Sequence, residues 1–286
     1  MPDYSYIGKM LDVLGSTGTV IIPGLPTLNW NGQAVGENSA KTTFTTVKGA
    51  SGVNAVFTYS KARTLFDKAT QYVGRGQLPF VPLDGVDEEA DTPDATYWSI
   101  GDGLADASRS WIFWFRFLST QAGVPLGRWD FTVAAELREW FFSTADAVGN
   151  LRLALYDESA NVQVSRQFDS GVPKNVPICL GVTLDVTLGS GATIADGIAM
   201  YLNGAVKAST PTNNASFVAT ENLTVATTLG FVIDTGAPAV LMGGEVSMMA
   251  YTQIALSAAQ HARIHVIGRE ALQPALTVVK RRWRGM

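Results

Sequence analysis

The sequence contains little cysteine and little charge, and each shortage excludes a class of function. Cys179 is the single cysteine among 286 residues, so no disulfide can close within the chain and no thiolate cluster can hold zinc. It lies in an apolar run, which predicts a buried thiol and no nucleophile. Charged residues form only 16% of the chain and the net charge is −4, whereas nucleic-acid binding needs a concentrated basic face. We therefore expect no nucleic-acid partner.

The sequence also lacks a long apolar segment. The most hydrophobic stretch, residues 111–118, is short and contains Arg116, so it predicts a strand and no membrane span. The N-terminus carries Asp3 and Asp12 and lacks a basic region followed by a long apolar one, which predicts no signal peptide. We expect no membrane partner.

What the chain does contain is a succession of short strand patterns. Hydrophobic residues make up 47% of the chain, enough for a large core, and the 28 glycines suit many turns. Asn203-Gly204 follows one strand pattern directly and predicts a tight hairpin turn. Strands at this spacing, without long helices between them, predict an antiparallel β-sandwich. The predicted strands cover residues 111–118, 137–143, 151–157, 176–186, 197–202, 224–233 and 244–251.

The two ends of the chain differ from this pattern. Residues 1–78 predict an arm of strands and irregular chain, with one short helix over 60–72, and the pattern leaves open whether the arm packs on the main domain or reaches a neighbour. Residues 258–267 predict a helix capped by Ser257 and ended by Gly268. Residues 271–286 form a basic tail, in which a docking cluster and a solvated run are both compatible with the pattern. The tail's candidate docking residues are Lys280, Arg281, Arg282, Trp283 and Arg284.

Five segments in order resemble the laminin-G-like members of the concanavalin-A-like lectin superfamily. They are residues 81–89 (VPLDGVDEE), 110–117 (SWIFWFRF), 181–185 (GVTLD), 200–204 (MYLNG) and 243–260, which ends in ALSAAQ. The resemblance covers roughly residues 79–270. It implies an all-β, antiparallel jelly-roll sandwich carrying an N-terminal extension.

A finer resemblance concerns the acidic segment 87–94, the segment 213–219 and the N-terminal arm. Together these look similar to domains of tailed-bacteriophage virion proteins. This implies a protein assembled in the host cytoplasm and located in the virion, forming a homo-oligomer and contacting other virion proteins through its arm and tail.

The sequence lacks the arrangement of carboxylates that a glucanase of this superfamily requires. Glucanases of the superfamily place carboxylates at a spacing of two along one strand, so that they share a face. Asp87, Glu89 and Asp91 have that spacing but precede Pro93 in a predicted turn. Glu136 and Glu139 are three apart and would lie on opposite faces of a strand. We expect no enzyme.

Two groups of residues have side chains that can bind metal ions, a cluster of aspartates and a pair of histidines. Asp84, Asp87, Asp91 and Asp94 offer carboxylates for calcium within a short loop, although a solvated acidic loop explains them as well. The only two histidines, at positions 261 and 265, are four apart on the predicted helix. They lack a third ligand and the glutamate of the protease motif, so surface or interface histidines are expected. We expect no other cofactor.

Aromatic residues give the remaining functional candidates. At a period of two, Trp111 and its alternate neighbours predict core, whereas Trp114 and Trp129 are candidates to stack on sugar rings. Packing against the arm explains the latter two equally well. The sequence thus supports two hypotheses, first a capsid decoration protein and alternatively a carbohydrate-binding module of a phage tail or fibre. An exposed aromatic surface with polar groups around it would favour the second.

Overall fold

The computed structural model describes residues 5–21, 27–28, 34–35, 43–47, 56–59, 81–84, 90–117, 123, 125–131, 136–144, 149–234, 237–240 and 242–272. Two α-helices bracket the described strands: α1 spans Ser5–Leu14 and α2 spans Ala258–Leu272. The strands of the first half are β1 Thr19–Ile21, β2 Thr27–Leu28, β3 Ala34–Val35, β4 Thr43–Val47, β5 Val56–Tyr59, β6 Val81–Asp84, β7 Ala90–Thr92, β8 Arg109–Phe117, β9 Leu126–Asp130 and β10 Leu137–Thr144. Those of the second half are β11 Leu151–Asp157, β12 Val162–Phe168, β13 Ile178–Leu184, β14 Ile198–Leu202, β15 Ala205–Val206, β16 Ser209–Thr212, β17 Thr227–Leu229, β18 Val232–Asp234, β19 Ala237–Ala239 and β20 Gly243–Thr252.

The strands form two facing sheets. In sheet 1 the order is β15-β14-β13-β8-β20, and β1 and β6 pair along the far side of β20. In sheet 2 the order is β16-β12-β11-β10-β9-β17-β7-β5. Strand β4 pairs with both β1 and β5 and so joins the sheets. Among the described pairs only β18 with β9 is parallel, so the predicted antiparallel sandwich is confirmed.

The main core lies between the sheets. Trp111, Phe113 and the other alternate residues of β8 face sheet 2, where they meet Trp140 and Phe142 of β10. The Trp111 and Trp140 rings lie 5.5 Å apart, and those of Phe113 and Phe142 lie 4.9 Å apart. This confirms the core prediction for Trp111, because strand alternation puts every second residue on the face that the other sheet covers.

The opposite face of sheet 1 is covered by both helices. Tyr6, Met10 and Leu14 of α1 belong to a second buried cluster with Ile264 of α2 and Trp114 of β8. Since both faces of β8 are covered, its residues are buried without regard to alternation, which explains the continuous apolar run in the sequence. Cys179 lies in the same cluster and its thiol is buried, as predicted.

The N-terminal residues are part of this body. Helix α1 packs beside α2, and β1 pairs with β20, so residues 5–21 belong to the sandwich. The expectation of strands and irregular chain there missed α1, whose apolar residues recur at helical spacing but are interrupted by Gly8. The helix predicted over 60–72 lies outside the described residues.

The predicted hairpin and helix start are both confirmed. Asn203 and Gly204 have φ angles of 52° and 78°, as a type I′ turn requires. At the start of α2 the backbone N–H of Ser257 donates to Gln260 Oε1 at 2.9 Å, and the Gln260 N–H donates to Ser257 Oγ at 3.4 Å. This reciprocal pair is a capping box.

The predicted helix end is wrong. Helix α2 continues through Gly268 to Leu272, and Gly268 lies against the Trp114 ring, where a Cβ atom would overlap the indole. The glycine is therefore needed for close approach of the helix to the sheet, and it does not end the helix.

Candidate functional site

The face of sheet 2 that points away from the core carries aromatic and hydrogen-bonding side chains. The strand register aligns Trp129 with Arg138, Phe141 with Ala154, Ser143 with Arg152, and Arg152 with Gln167. Directly paired residues project to the same side of a sheet, so these side chains share one surface. We call this surface the outer face; its members are Trp129, Arg138, Phe141, Ser143, Arg152, Ala154, Tyr156, Gln163, Ser165, Gln167, Thr210 and Thr212.

Three aromatic rings form the base of the outer face. The Trp129 ring centroid lies 4.5 Å from that of Phe141 and 5.2 Å from that of Tyr156, in edge-to-face contacts. Trp129 is 2% exposed, while Phe141 and Tyr156 are each 7% exposed. The Trp129 indole is thus the buried centre of the cluster, and the prediction that it stacks on a sugar ring is wrong.

Trp114 is also unsuited to stacking. It is 2% exposed and lies under α2 in the layer between sheet 1 and the helices. The alternative explanation is packing against the N-terminal arm; the structure places Trp114 against Gly268 of α2, in one buried cluster with residues of α1. The continuous apolar run of β8 is typical of a strand covered on both faces, but the pattern does not show which element covers the second face.

One arginine of the outer face is neutralised. The Arg138 guanidinium lies 3.9 Å from the Tyr156 ring centroid and donates to both Glu158 carboxylate oxygens, at 2.8 and 2.9 Å. It also contacts Glu136. The hydrogen bonds to Glu158 raise the pKa of Arg138 further above its ordinary value. Arg138 therefore holds the rim of the aromatic cluster in place and offers no unpaired charge.

The second arginine of the outer face, Arg152, is not paired with a carboxylate among the described residues. Arg152 Nε donates to Ser143 Oγ at 3.0 Å, and the guanidinium carbon lies 5.4 Å from the Phe141 ring centroid. Burial lowers the pKa of Arg152, and among the described residues it has no carboxylate partner. A half-buried cation beside an aromatic ring thus keeps its charge uncompensated.

Hydrogen-bonding side chains border the aromatic base. Gln163 and Gln167 of β12 are half-buried, and Thr210 and Thr212 of the neighbouring β16 are exposed. Amide and hydroxyl groups both donate and accept, as sugar hydroxyls require. The outer face therefore combines an apolar base with convergent polar groups, the chemistry of small-ligand and sugar sites.

Two of the acidic residues considered for catalysis, Glu136 and Glu139, form ion pairs; Asp87 and Glu89 lie outside the described residues. Glu139 is fully buried where a β-bulge interrupts β10, and its carboxylate accepts from Arg128 Nη2 at 2.8 Å and Nε at 3.0 Å. The backbone N–H of Leu223 adds a bond of 2.9 Å. Burial raises the pKa of Glu139 while Arg128 opposes that change. Glu136 is exposed and contacts Arg138, whereas Glu139 is buried, so the two carboxylates do not share one accessible site.

The four predicted calcium ligands are not brought together in the described structure. Asp94 accepts a bond of 2.7 Å from Arg128 Nη2, Asp91 lies within β7, where burial raises its pKa, and Asp84 is the last residue of β6. Asp87 lies outside the described residues. In the part of the chain described, no three acidic, histidine or cysteine residues are placed to hold a metal ion. A calcium site at this loop stays a prediction.

The surface prediction for the histidines is wrong for His261. Its ring is 2% exposed, stacks 4.0 Å from the Tyr201 ring centroid, and places Nε2 2.7 Å from Thr183 Oγ1. Burial lowers the pKa of His261 to about 4. His265 is half-buried. The helix thus uses one histidine to dock on sheet 1 and not to bind metal.

Two further predictions concern the ends and membranes. The predicted docking residues of the tail, Lys280, Arg281, Arg282, Trp283 and Arg284, lie outside the described residues. Neither helix in the described ranges has the length and hydropathy that crossing a bilayer requires.

Sequence reasoning missed the outer face itself, although β11 carried a signal. In the segment LRLALYD, Leu151, Leu153 and Leu155 alternate with Arg152, Ala154 and Tyr156. The leucines are fully buried in the core, so the alternation separates the core face from the outer face. The outer face forms only when β11 pairs with β10 and β12, and β10 with β9, and the sequence pattern of β11 does not predict these pairings.

Comparison with known proteins yields structural similarity only. No protein-family model matches the sequence, and no curated protein matches it. The botulinum neurotoxin serotype D ligand-binding domain, solved in complex with N-acetylneuraminic acid, has a TM-score of 0.54 and 13% identity, over 90% of this chain and 52% of that one. A structure from work on ganglioside-dependent cell entry of botulinum neurotoxin type C has a TM-score of 0.52 and 11% identity, over 93% and 53%.

A third similar structure is the CBM40 domain of the Ruminococcus gnavus IT-sialidase bound to α2,3-sialyllactose. It has a TM-score of 0.46 and 14% identity, and the match covers 57% of this chain and 84% of that one. The chain spans about half the length of the neurotoxin domains, 52% and 53%. The likeness to the two neurotoxin structures, together with the sheet order, shows that the chain has a β-sandwich fold.

Proposed function

We propose that the chain is a non-catalytic carbohydrate-binding domain whose glycan lies on the outer face of sheet 2. The observation that carries the proposal is the combination of Phe141 and Tyr156 with Arg152 and the β12 glutamines on one surface. The buried rings form the floor of this surface, and the amides and the guanidinium above them serve the hydroxyl and acidic groups of a sugar. The proposal takes up the alternative hypothesis drawn from the sequence, with polar groups above buried rings in place of the exposed aromatic surface that the sequence led us to expect.

The structural similarities support the same proposal. The serotype D domain was solved with N-acetylneuraminic acid, and type C neurotoxin entry depends on two ganglioside molecules. Each protein shares the fold with this chain at low identity, so the likeness indicates a scaffold used for glycans. The outer-face residues of this chain supply the specific argument.

A binding function also agrees with the state of the carboxylates. Retaining and inverting glycosidases need two carboxyl groups about 5 to 10 Å apart in an accessible groove. Glu139 is sealed against Arg128, and Glu136 contacts Arg138. A wild-type chain that binds glycans without releasing reducing sugar would fit the proposed role; release of sugar would contradict it.

The proposal is tested by binding of the purified full chain to a glycan array. Replacing Gln163 and Gln167 with alanine removes two hydrogen-bonding groups from the outer face and should weaken binding about tenfold or more. The matched control replaces Arg263 and Glu270, two exposed residues of α2 on the far side of sheet 1, with alanine. Equal loss in both double variants, or no glycan bound by the wild type, would refute a site on the outer face.

The capsid-decoration hypothesis stays a prediction, as do virion localisation and homo-oligomerisation. The basic tail on which docking depends lies outside the described residues. Co-sedimentation of the full chain with phage shells would test it independently of glycan binding.

A further inference from the structure

The partners of Arg152 set it apart from the other arginines that join strands. Arg116 pairs with Glu245, Arg128 with Glu139, and Arg138 with Glu158, while Arg166 donates to the backbone carbonyls of Ala195 and Ser209. Arg152 has neither a carboxylate partner nor a backbone carbonyl among the described residues, and its bond to Ser143 occupies Nε alone. Both terminal guanidinium nitrogens are therefore available.

The surroundings of Arg152 destabilise its positive charge in the free protein and favour the binding of an anion. A cation that is half withdrawn from water loses hydration, and burial without a counter-charge lowers the pKa of Arg152. The neighbouring Phe141 ring returns only part of that loss, since the guanidinium lies 5.4 Å from its centroid. An oxyanion placed at the terminal nitrogens would restore the missing partner.

The local geometry restricts the shape of the anion. Ser143 accepts from Nε and so holds the guanidinium plane, leaving the edge formed by the two terminal nitrogens toward the ligand. Two parallel N–H donors match two oxygens of one carboxylate or sulfate group. Gln167, directly opposite Arg152 in the β11–β12 register, can serve a hydroxyl of the same sugar.

We propose that Arg152 forms the anion subsite of the outer face, so that the glycan is an acidic one with its carboxylate or sulfate at the guanidinium. The inference rests on the proposed carbohydrate-binding function and narrows its ligand class. It assigns Ser143 as the residue that positions Arg152, and the β12 glutamines as groups that contact the remainder of the sugar.

The test compares lactose with two 3′-substituted forms of lactose that carry different acidic groups. Lactose, 3′-sialyllactose and 3′-sulfolactose are titrated by calorimetry into the full chain, its Arg152→Met variant and its Arg263→Met variant. Both variants remove one positive charge, but Arg263 is exposed on α2, away from the outer face. A third variant, Arg152→Lys, keeps the charge and removes the paired donors, and each variant's unfolding temperature is measured alongside.

In the wild type, an acidic probe should bind about tenfold to a hundredfold more tightly than lactose, the effect of one charged hydrogen-bonded contact. Arg152→Met should abolish that preference, Arg152→Lys should recover part of it, and Arg263→Met should leave it unchanged. A preference for sialyllactose alone assigns the carboxylate, and one for sulfolactose alone assigns the sulfate.

The inference and the proposed function fail in different ways. Equal affinity for all three probes, unaffected by Arg152→Met, overturns the anion subsite and leaves a neutral glycan site standing. A preference for acidic probes that Arg152→Met preserves also overturns it. Absence of binding to these probes and to every member of the array overturns the carbohydrate-binding function as well.

Discussion

Acidification should destabilise the chain through His261, the buried histidine that docks α2 on sheet 1. In the tautomer in which the Thr183 hydroxyl donates to the Leu256 carbonyl at 3.0 Å, its oxygen accepts from His261 Nε2–H. Any added proton must then go to Nδ1, which lies against the backbone at Gly181. No acceptor for that proton exists among the described residues, so the charged ring is disfavoured in the folded state.

The magnitude follows from the two pKa values. Burial lowers the pKa of His261 from 6.5 to about 4. Because the unfolded chain takes up the proton first, folding stability falls as the pH drops below 6.5 and stops changing on this account below about 4. The loss from this one group is about 2 kcal/mol at pH 5 and about 3 kcal/mol at its limit.

Urea unfolding of the wild type and of His261→Gln, measured from pH 7 to pH 4.5, isolates this contribution. The comparison is necessary because the pKa values of Glu139 and Asp106 are raised by burial, which strengthens folding as the pH falls through the same range. Glutamine keeps a polar group near Thr183 but lacks the ring that stacks on Tyr201, so the variant should be less stable at pH 7. Because glutamine cannot titrate, the variant should also lose the part of the pH dependence that comes from His261.

His265→Gln is the matched control, since His265 is half-buried and is the only other histidine in the chain. It should keep most of the wild-type pH dependence. If wild type and His261→Gln lose stability in parallel between pH 7 and 5, the reasoning about the buried neutral ring is wrong.

Three further substitutions test the packing described above. Gly268→Ala should destabilise the chain by about 2 kcal/mol, because its Cβ overlaps the tryptophan beneath the helix; stabilisation by about 1 kcal/mol, as helix propensity alone predicts, would contradict that contact. Glu139→Ala should cost about 3 kcal/mol in urea unfolding by leaving a buried arginine without its main partner; a change below about 1 kcal/mol would show the pair to be dispensable. Leu153→Ala should cost about 2 to 5 kcal/mol, whereas Leu188→Ala, at a side chain 70% exposed, should change stability by less than about 0.5 kcal/mol; similar losses at both positions would contradict the assigned core.

Local patterns in the sequence were sufficient for the elements whose cause is local. Alternation in β8 predicts that Trp111 faces the core, the Asn203-Gly204 pair predicts its hairpin turn, and Ser257 predicts the start of α2. Each depends on the backbone preferences of a few consecutive residues, which tertiary contacts did not override. The antiparallel sandwich followed because short strands without connecting helices have few other ways to bury their apolar faces.

Only the tertiary structure decided which side chains are available for function. Trp114 and His261 become buried because two helices from opposite ends of the sequence cover sheet 1, and Glu139 is sealed because a bulge in β10 places it against Arg128. Whether a charged side chain is paired depends on residues distant along the chain. Arg152 alternates with leucines in the sequence, but its unpaired state on the outer face exists only because four strands assemble without bringing it a carboxylate.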